Sequence, residues 1–163
     1  SRNRFIRNLC ISLEGNTLVL FNFVDKHGKV LYNMINDENT KTAFYVHGGV
    51  DGEERDRIRS IVEESNEAVI VASYGTFSTG VNIRNLHNIV FASPSKSRVR
   101  NLQSIGRGLR TAEGKSEARL FDIVDDLRHK QWKNYALEHF AERLKIYNEE
   151  KFPYKMYSVR LKE

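Results

Sequence analysis

An α/β fold, a mainly parallel β-sheet with helices on both faces, is what this sequence of 163 residues predicts. Short continuous apolar runs such as Thr17-Leu18-Val19-Leu20-Phe21 and Ala68-Val69-Ile70-Val71-Ala72 have the character of strands buried on both faces. Between such runs lie stretches whose apolar residues recur at helical spacing. The length suits one domain with a single core.

The elements follow in order. Phe5, Ile6, Leu9, Ile11 and Leu13 define a first helix, and Gly15 stands where it would stop. The strand 17–21 comes next. Asp25 can cap a second helix that buries Val30, Leu31, Met34 and Ile35. Thr42-Ala43-Phe44-Tyr45-Val46 is a second strand, ended by His47-Gly48-Gly49. Asp51 with Glu54 three residues later opens a third helix, with Ile58, Ile61 and Val62 on its apolar face. The strand 68–72 leads into a segment of small and hydroxyl residues, Tyr74 to Asn82, and Asn88-Ile89-Val90-Phe91-Ala92 is a fourth strand. Ser97 to Leu109 reads as a helix, Ala118 to Val124 as a fifth strand, and Trp132 to Glu149 as a long helix with Trp132, Ala136, Phe140, Leu144 and Tyr147 on one stripe. Phe152 to Leu161 is a last strand or a tail that folds back. In a parallel sheet ligands bind beyond the carboxyl ends of the strands, so the loops after Phe21, Val46, Ala72 and Ala92 are expected to carry function.

Composition narrows the class. Hydrophobic residues at 40% and charged residues at 29%, with two prolines and ten glycines, fit neither a disordered nor a fibrous chain. No apolar run reaches the roughly 18 to 20 residues of a membrane-spanning helix, so no membrane association and a cytoplasmic location are expected. Cys10 is the only cysteine, which excludes an internal disulfide and a cysteine-rich zinc site, and the five histidines show no paired ligand spacing. The net charge of +5 is concentrated. From Ala68 to Ala112 there is no acidic residue, against Arg84, Lys96, Arg98, Arg100, Arg107 and Arg110. Such a block is the footprint of a surface that meets phosphates, or else a solvated charged face.

Gln103-Ser104-Ile105-Gly106-Arg107-Gly108-Leu109-Arg110 is the most informative stretch. Arg107 and Arg110 are three apart, so on a helix they emerge from one face about one turn apart. Two guanidiniums projecting together suit the spread negative charge of a phosphoryl group in transit; the plainer alternative is an exposed helix with solvated arginines.

Here the sequence resembles a known family. Gln103, Gly106, Arg107 and Arg110 are similar to motif VI (Gln-x-x-Gly-Arg-x-x-Arg) of superfamily 2 helicases and translocases. Ala72-Ser73 with Ser78-Thr79-Gly80-Val81-Asn82-Ile83 resembles motif V, Leu18 to Leu31 resembles motif IV, and His47-Gly48-Gly49 followed by Arg55 resembles the segment between them. The chain thus looks like the second RecA-like domain of such an enzyme. The resemblance places that domain, with motifs IV, V and VI and an N-terminal helix at 1–15, over residues 1–128, and leaves 129–163 as a C-terminal helix and tail extension.

The resemblance also implies roles. Arg110 matches the finger that reaches the γ-phosphate of ATP, and Arg107 its neighbour. Gln103, Gly80 and Asn82 match positions near the nucleotide and the interdomain cleft; Asn82 stands where many relatives carry Asp, keeping hydrogen-bonding capacity without the charge. Ser73, Thr79, Gly48, Gly49 and His27 match nucleic-acid contacts of the kind that hold a backbone without reading its sequence. From the residues alone, Ser73 is better read as a turn or cap and His27 as structural or solvated.

No Gly-x-x-x-x-Gly-Lys-Ser/Thr loop and no Asp-Glu-x-His/Asp box occurs in this sequence. The family places those on the first RecA-like domain, so ATP and Mg2+ are expected to be held mainly there, and this chain alone to be inactive. The expected function is the C-terminal motor domain of an ATP-dependent helicase or translocase acting on branched DNA in recombination and repair. Its expected partners are the N-terminal RecA-like domain of the same protein and DNA, branched or single-stranded, or an RNA–DNA hybrid. One alternative is a non-catalytic nucleic-acid-binding or annealing module, supported by the acid-free block. Another is a small-molecule enzyme on a doubly wound sheet, but Phe21-Asn22-Phe23-Val24-Asp25 stands where a Gly-x-Gly-x-x-Gly turn belongs.

Overall fold

The computed structural model describes residues 2–22, 27–75, 85–92 and 119–123, with 141, 144–145, 156–157 and 159–160. Among these, strands β1 (Thr17–Phe21), β2 (Thr42–Val46), β3 (Ala68–Ser73), β4 (Asn88–Phe91) and β5 (Arg119–Asp122) form one sheet in the order β2-β3-β1-β4-β5. Every neighbouring pair is parallel. The helices are α1 (Arg2–Ser12), α2 (Lys29–Asp37) and α3 (Gly52–Glu63). The strands lie within two residues of the sequence expectation at each end. β1 and β3, whose apolar runs are continuous, are buried throughout, whereas β2 and β5 lie at the edges and are partly exposed.

Alternation along the strands sorts the core into two layers. Leu18, Leu20, Ile70, Ala72, Ile89 and Phe91 pack with Ile58 and Val62 of α3. Val19, Phe21, Val69, Val71 and Val90 face the other way, onto Ile6 and Cys10 of α1 and Leu31 and Ile35 of α2. The connection β1–α2–β2 runs outward across the sheet and β2–α3–β3 runs back one strand. With this reversal of direction α2 and α3 pack on opposite faces, as the right-handed rule for crossovers between parallel strands requires.

Two helices differ from expectation. Val30 is 43% exposed, so α2 grips the sheet through Leu31 and Ile35. Its cap position is Gly28, with no side-chain cap bond; the expected cap, Asp25, lies outside the described residues. On α3, Ile58 and Val62 are buried but Ile61 is 39% exposed, because positions 58 and 62 are one turn apart and 61 falls to their flank. The α3 start itself is as read: the Asp51 carboxylate accepts the Glu54 N–H at 2.8 Å. Lys41 reaches the Leu13 carbonyl just after α1 and pairs with Glu67 at 3.3 Å. Burial pushes the Cys10 thiol up to about 12 despite the nearby Lys41 charge.

At the amino edge, Asn16 is wholly buried and its side chain is heavily bonded. Nδ2 donates to the carbonyls of Val62 (2.9 Å), Ser65 (2.7 Å) and Asn85 (3.0 Å), and Oδ1 accepts the Ala68 N–H at 3.0 Å. Gly15, at φ +86°, lies so close to His87 that a Cβ would fall 2.5 Å from the ring. Only glycine fits both constraints.

Among the described tail residues 156–157 and 159–160 there is no strand, and Met156, Tyr157 and Val159 are exposed. Leu144, from the terminal helical stripe, is half-buried against the α3 layer. Among the described residues no helix is long and apolar enough to cross a membrane.

Candidate functional site

All five strands point the same way, so their carboxyl ends share one edge. The register aligns Phe21 with Ser73, Val46 with Ala72, and Phe91 with both Leu20 and Asp122. Chain segments separated by many residues therefore leave the sheet side by side.

The segment after β2 is a tight turn built by its own polar groups. The Val50 N–H donates to the His47 carbonyl at 3.0 Å, and the Gly49 N–H donates to His47 Nδ1 at 3.0 Å. Nδ1 is the acceptor, so in the neutral ring Nε2 carries the hydrogen. Tyr45 packs on the same ring, centroids 4.9 Å apart, and itself stacks on Phe21 and Tyr32. Arg55 closes the turn from α3, its Nε donating to the Val50 carbonyl at 3.0 Å. Open space surrounds Gly48, whereas a Cβ on Gly49 would lie 2.8 Å from the His47 ring. The Gly49 amide is thus committed to His47, and Gly48 is the position where another backbone can approach.

Charge around this turn is uneven. Asp51, Glu53 and Glu54 crowd the α3 amino terminus and already complement its dipole. Arg57 pairs with Glu54, and Arg59 with Asp56 and Glu63. The carboxylates at the start of α3 would repel a phosphate from the helix axis, whereas open space surrounds Gly48.

The segment after β1 leads to His27 and α2. Gly28 sits against Phe21, whose ring would lie 2.2 Å from a Cβ, so glycine lets the start of α2 close over the end of β1. His27 Nε2 and Asn3 Oδ1 are 3.0 Å apart, tying this segment to the first turn of α1. Burial lowers the His27 pKa below its ordinary value, and the Arg2 charge lowers it further. Arg2 in turn reaches across the edge, donating from Nη1 to the Ala92 carbonyl and from Nη2 to the Ile123 carbonyl at 3.1 Å. Ser73, 9% exposed, ends β3 beside Phe21, and the next residue, Tyr74, packs on Phe91.

The fold thus brings Gly48, Gly49, Ser73 and His27 to one edge, with His27 half-buried against α1. Thr79, Gly80, Asn82, Gln103, Arg107 and Arg110 lie outside the described residues. Among the described residues no group of three or more His, Cys, Asp or Glu could hold a metal ion. Arg2 escapes a reading by local pattern, since its contacts with Ala92 and Ile123 are made only in the fold.

Residues 1–112 match the family model described as the helicase conserved C-terminal domain. The chain is 38% identical over 173 aligned residues to the ATP-dependent DNA helicase uvsW of Enterobacteria phage T4; the match takes in 98% of this chain and 34% of that protein. A putative ATP-dependent helicase, IRC3 of Saccharomyces cerevisiae, is 29% identical over 65% of this chain and 15% of its own length. The crystal structure of T4 UvsW superposes with a TM-score of 0.78 over 97% of this chain and 34% of that one. The C-terminal domain of the DEAD-box protein Dbp5 gives a TM-score of 0.69 over 91% of this chain and 79% of that one; at 18% identity it speaks to the fold alone. The chain thus spans about a third of the length of the T4 relative it matches.

Proposed function

Since this chain belongs to the helicase conserved C-terminal domain family and has its RecA-like fold, we propose that it is the C-terminal motor domain of an ATP-dependent DNA helicase or translocase that unwinds or remodels branched DNA in recombination and repair. The observation that carries the reading is the 38% identity to an ATP-dependent DNA helicase across nearly the whole chain, together with motifs IV, V and VI in order. Its partners on this reading are an N-terminal RecA-like domain of the same protein and DNA, and its location is the cytoplasm, the host's if the protein is phage-encoded.

ATP with Mg2+ supplies the free energy of the cycle when bound, held mainly by the other domain. Among the described residues no group of three or more His, Cys, Asp or Glu could hold a metal ion. What this chain contributes is cationic and positional. Arg110 and Arg107 offer planar guanidiniums to the charge of the transferring phosphate, with Gln103, Gly80 and Asn82 beside the nucleotide. Gly48, Ser73 and Thr79 hold a strand through its backbone, Arg55 braces the turn through the Val50 carbonyl, and Gly49 and His27 shape the surface through their own bonds. Contacts of this type give grip without sequence preference. The acid-free block favours a second reading, a binding or annealing module without catalysis.

Arg110→Ala in the complete two-domain protein separates the two. A motor loses about 10³-fold or more in ATP hydrolysis while nucleotide-free DNA binding survives. Arg110→Lys is nearly as damaging, because an ammonium lacks the planar fork. Hydrolysis retained at saturating DNA, with DNA affinity lost, would make Arg110 a nucleic-acid contact and defeat the reading.

A further inference from the structure

We propose that Arg2 is a positioning residue for the hydrolytic site: its guanidinium bridges the carbonyls of Ala92 and Ile123 and so sets where the arginine-bearing segment leaves the sheet. The inference rests on the function proposed above, in which residues after Ala92 carry Arg107 and Arg110.

The geometry is specific. Phe91 and Asp122 are partners in the β4–β5 ladder, so Ala92 and Ile123 are the next residues along each strand. Their N–H groups still bond inward, Ala92 to the Leu20 carbonyl at 2.9 Å and Ile123 to the Phe91 carbonyl at 3.4 Å. Their carbonyls instead accept from one guanidinium, which comes from 90 residues away in the first case and 121 in the second. A planar fork with two terminal nitrogens can span two carbonyls in fixed geometry; an ammonium acts as a point donor and does not hold that pair in register.

Arg2 is itself held. It lies in the first turn of α1, one and two turns before Ile6 and Cys10, which are fully buried against the sheet. The neighbouring Asn3 bonds to His27, so the same turn also fixes the segment after β1. The start of α1 therefore contacts the ends of three strands' connections at the functional edge. In the two-domain arrangement the other domain precedes α1 in the chain. A movement between domains that reaches α1 is thus delivered through Arg2 to Ala92 and Ile123.

The test uses the complete two-domain protein with Arg2→Ala, Arg2→Lys and Arg110→Ala. The readouts are DNA-stimulated ATP hydrolysis, KM for ATP and nucleotide-free DNA affinity, with kcat expressed per DNA-binding molecule counted by stoichiometric titration. Arg2→Ala is expected to lower kcat roughly 10- to 100-fold, the scale of a small misplacement of catalytic groups, with KM and DNA affinity within about twofold. Arg2→Lys, which keeps the charge and loses the fork, should also fall below the parent, and it carries the test if Arg2→Ala does not fold. A parent-like kcat in either variant, with Arg110→Ala inactive, overturns the positioning role and leaves the motor reading standing. Hydrolysis retained by Arg110→Ala instead defeats the motor reading.

Discussion

The Asn16 side chain and the backbone of Ala68 are joined by a buried hydrogen bond, Oδ1 accepting the Ala68 N–H at 3.0 Å across 52 residues of sequence. The same amide donates to the ends of α3 and to the turn before β4, so one residue sets the starting level of β1 and β3. The carboxyl edge of the sheet lies at the far end of those strands, and its alignment begins here.

Asn16→Ala should therefore cost about 3 kcal/mol or more, since it leaves several buried backbone groups unpaired at about 1–3 kcal/mol each. Asn16→Asp should be at least as harmful, because a carboxylate cannot donate to three carbonyls and its charge is buried. Urea unfolding measures both. Midpoints equal to the parent's would show that the network is dispensable.

Two glycines at the carboxyl edge should behave oppositely. Gly28 has helical backbone angles, φ −61° and ψ −48°, so alanine suits its conformation. Its Cβ would nevertheless fall 2.2 Å from Phe21. Overpacking of this kind costs roughly 1–3 kcal/mol, which outweighs the ~1 kcal/mol gained from helix propensity. Gly48 has open space around it, so Gly48→Ala should leave stability within about 0.5 kcal/mol. A fall in DNA affinity of Gly48→Ala would then report a backbone contact at that position, and unchanged affinity would remove Gly48 from the interface.

The pH dependence of stability should carry a His27 contribution of defined sign. Burial lowers the folded-state pKa beneath the ordinary 6.5, so over the window between the two values the unfolded chain binds more protons. Stability is accordingly lost as pH falls from above 6.5 toward the folded-state value. His27→Gln should flatten this part of the profile. Thermal melts at pH 7.5 and 5.5 test it: an equal loss in both proteins would assign the dependence to other groups.

On the proposed function, DNA binding should weaken steeply with salt and show little sequence preference, because the contacts it invokes are to backbone phosphates. Neutralising Arg84, Lys96, Arg98 and Arg100 together should reduce the slope of log affinity against log salt. A slope unchanged by the four substitutions would place those charges away from the DNA.

Local sequence determined much of this protein. The continuous apolar runs of β1, β3 and β4 marked central strands because a strand covered on both faces has no polar positions to alternate. Asp51 followed by Glu54 marked the α3 start because a capping bond is made within one turn. The motif residues identified the family because their order along the chain is itself a sequence property. What spacing could not decide was which flank of a helix turns to solvent, so Val30 and Ile61 were expected inside and stand exposed. The strand order belongs to the tertiary structure too, since five similar apolar runs allow many pairings. So does the role of Arg2, an unremarkable arginine beside Ser1 in the sequence. Hydrogen bonds between groups 52, 90 and 121 residues apart have no local signature. They exist only once packing has carried the Asn16 side chain to the Ala68 amide and the Arg2 guanidinium to the Ala92 and Ile123 carbonyls.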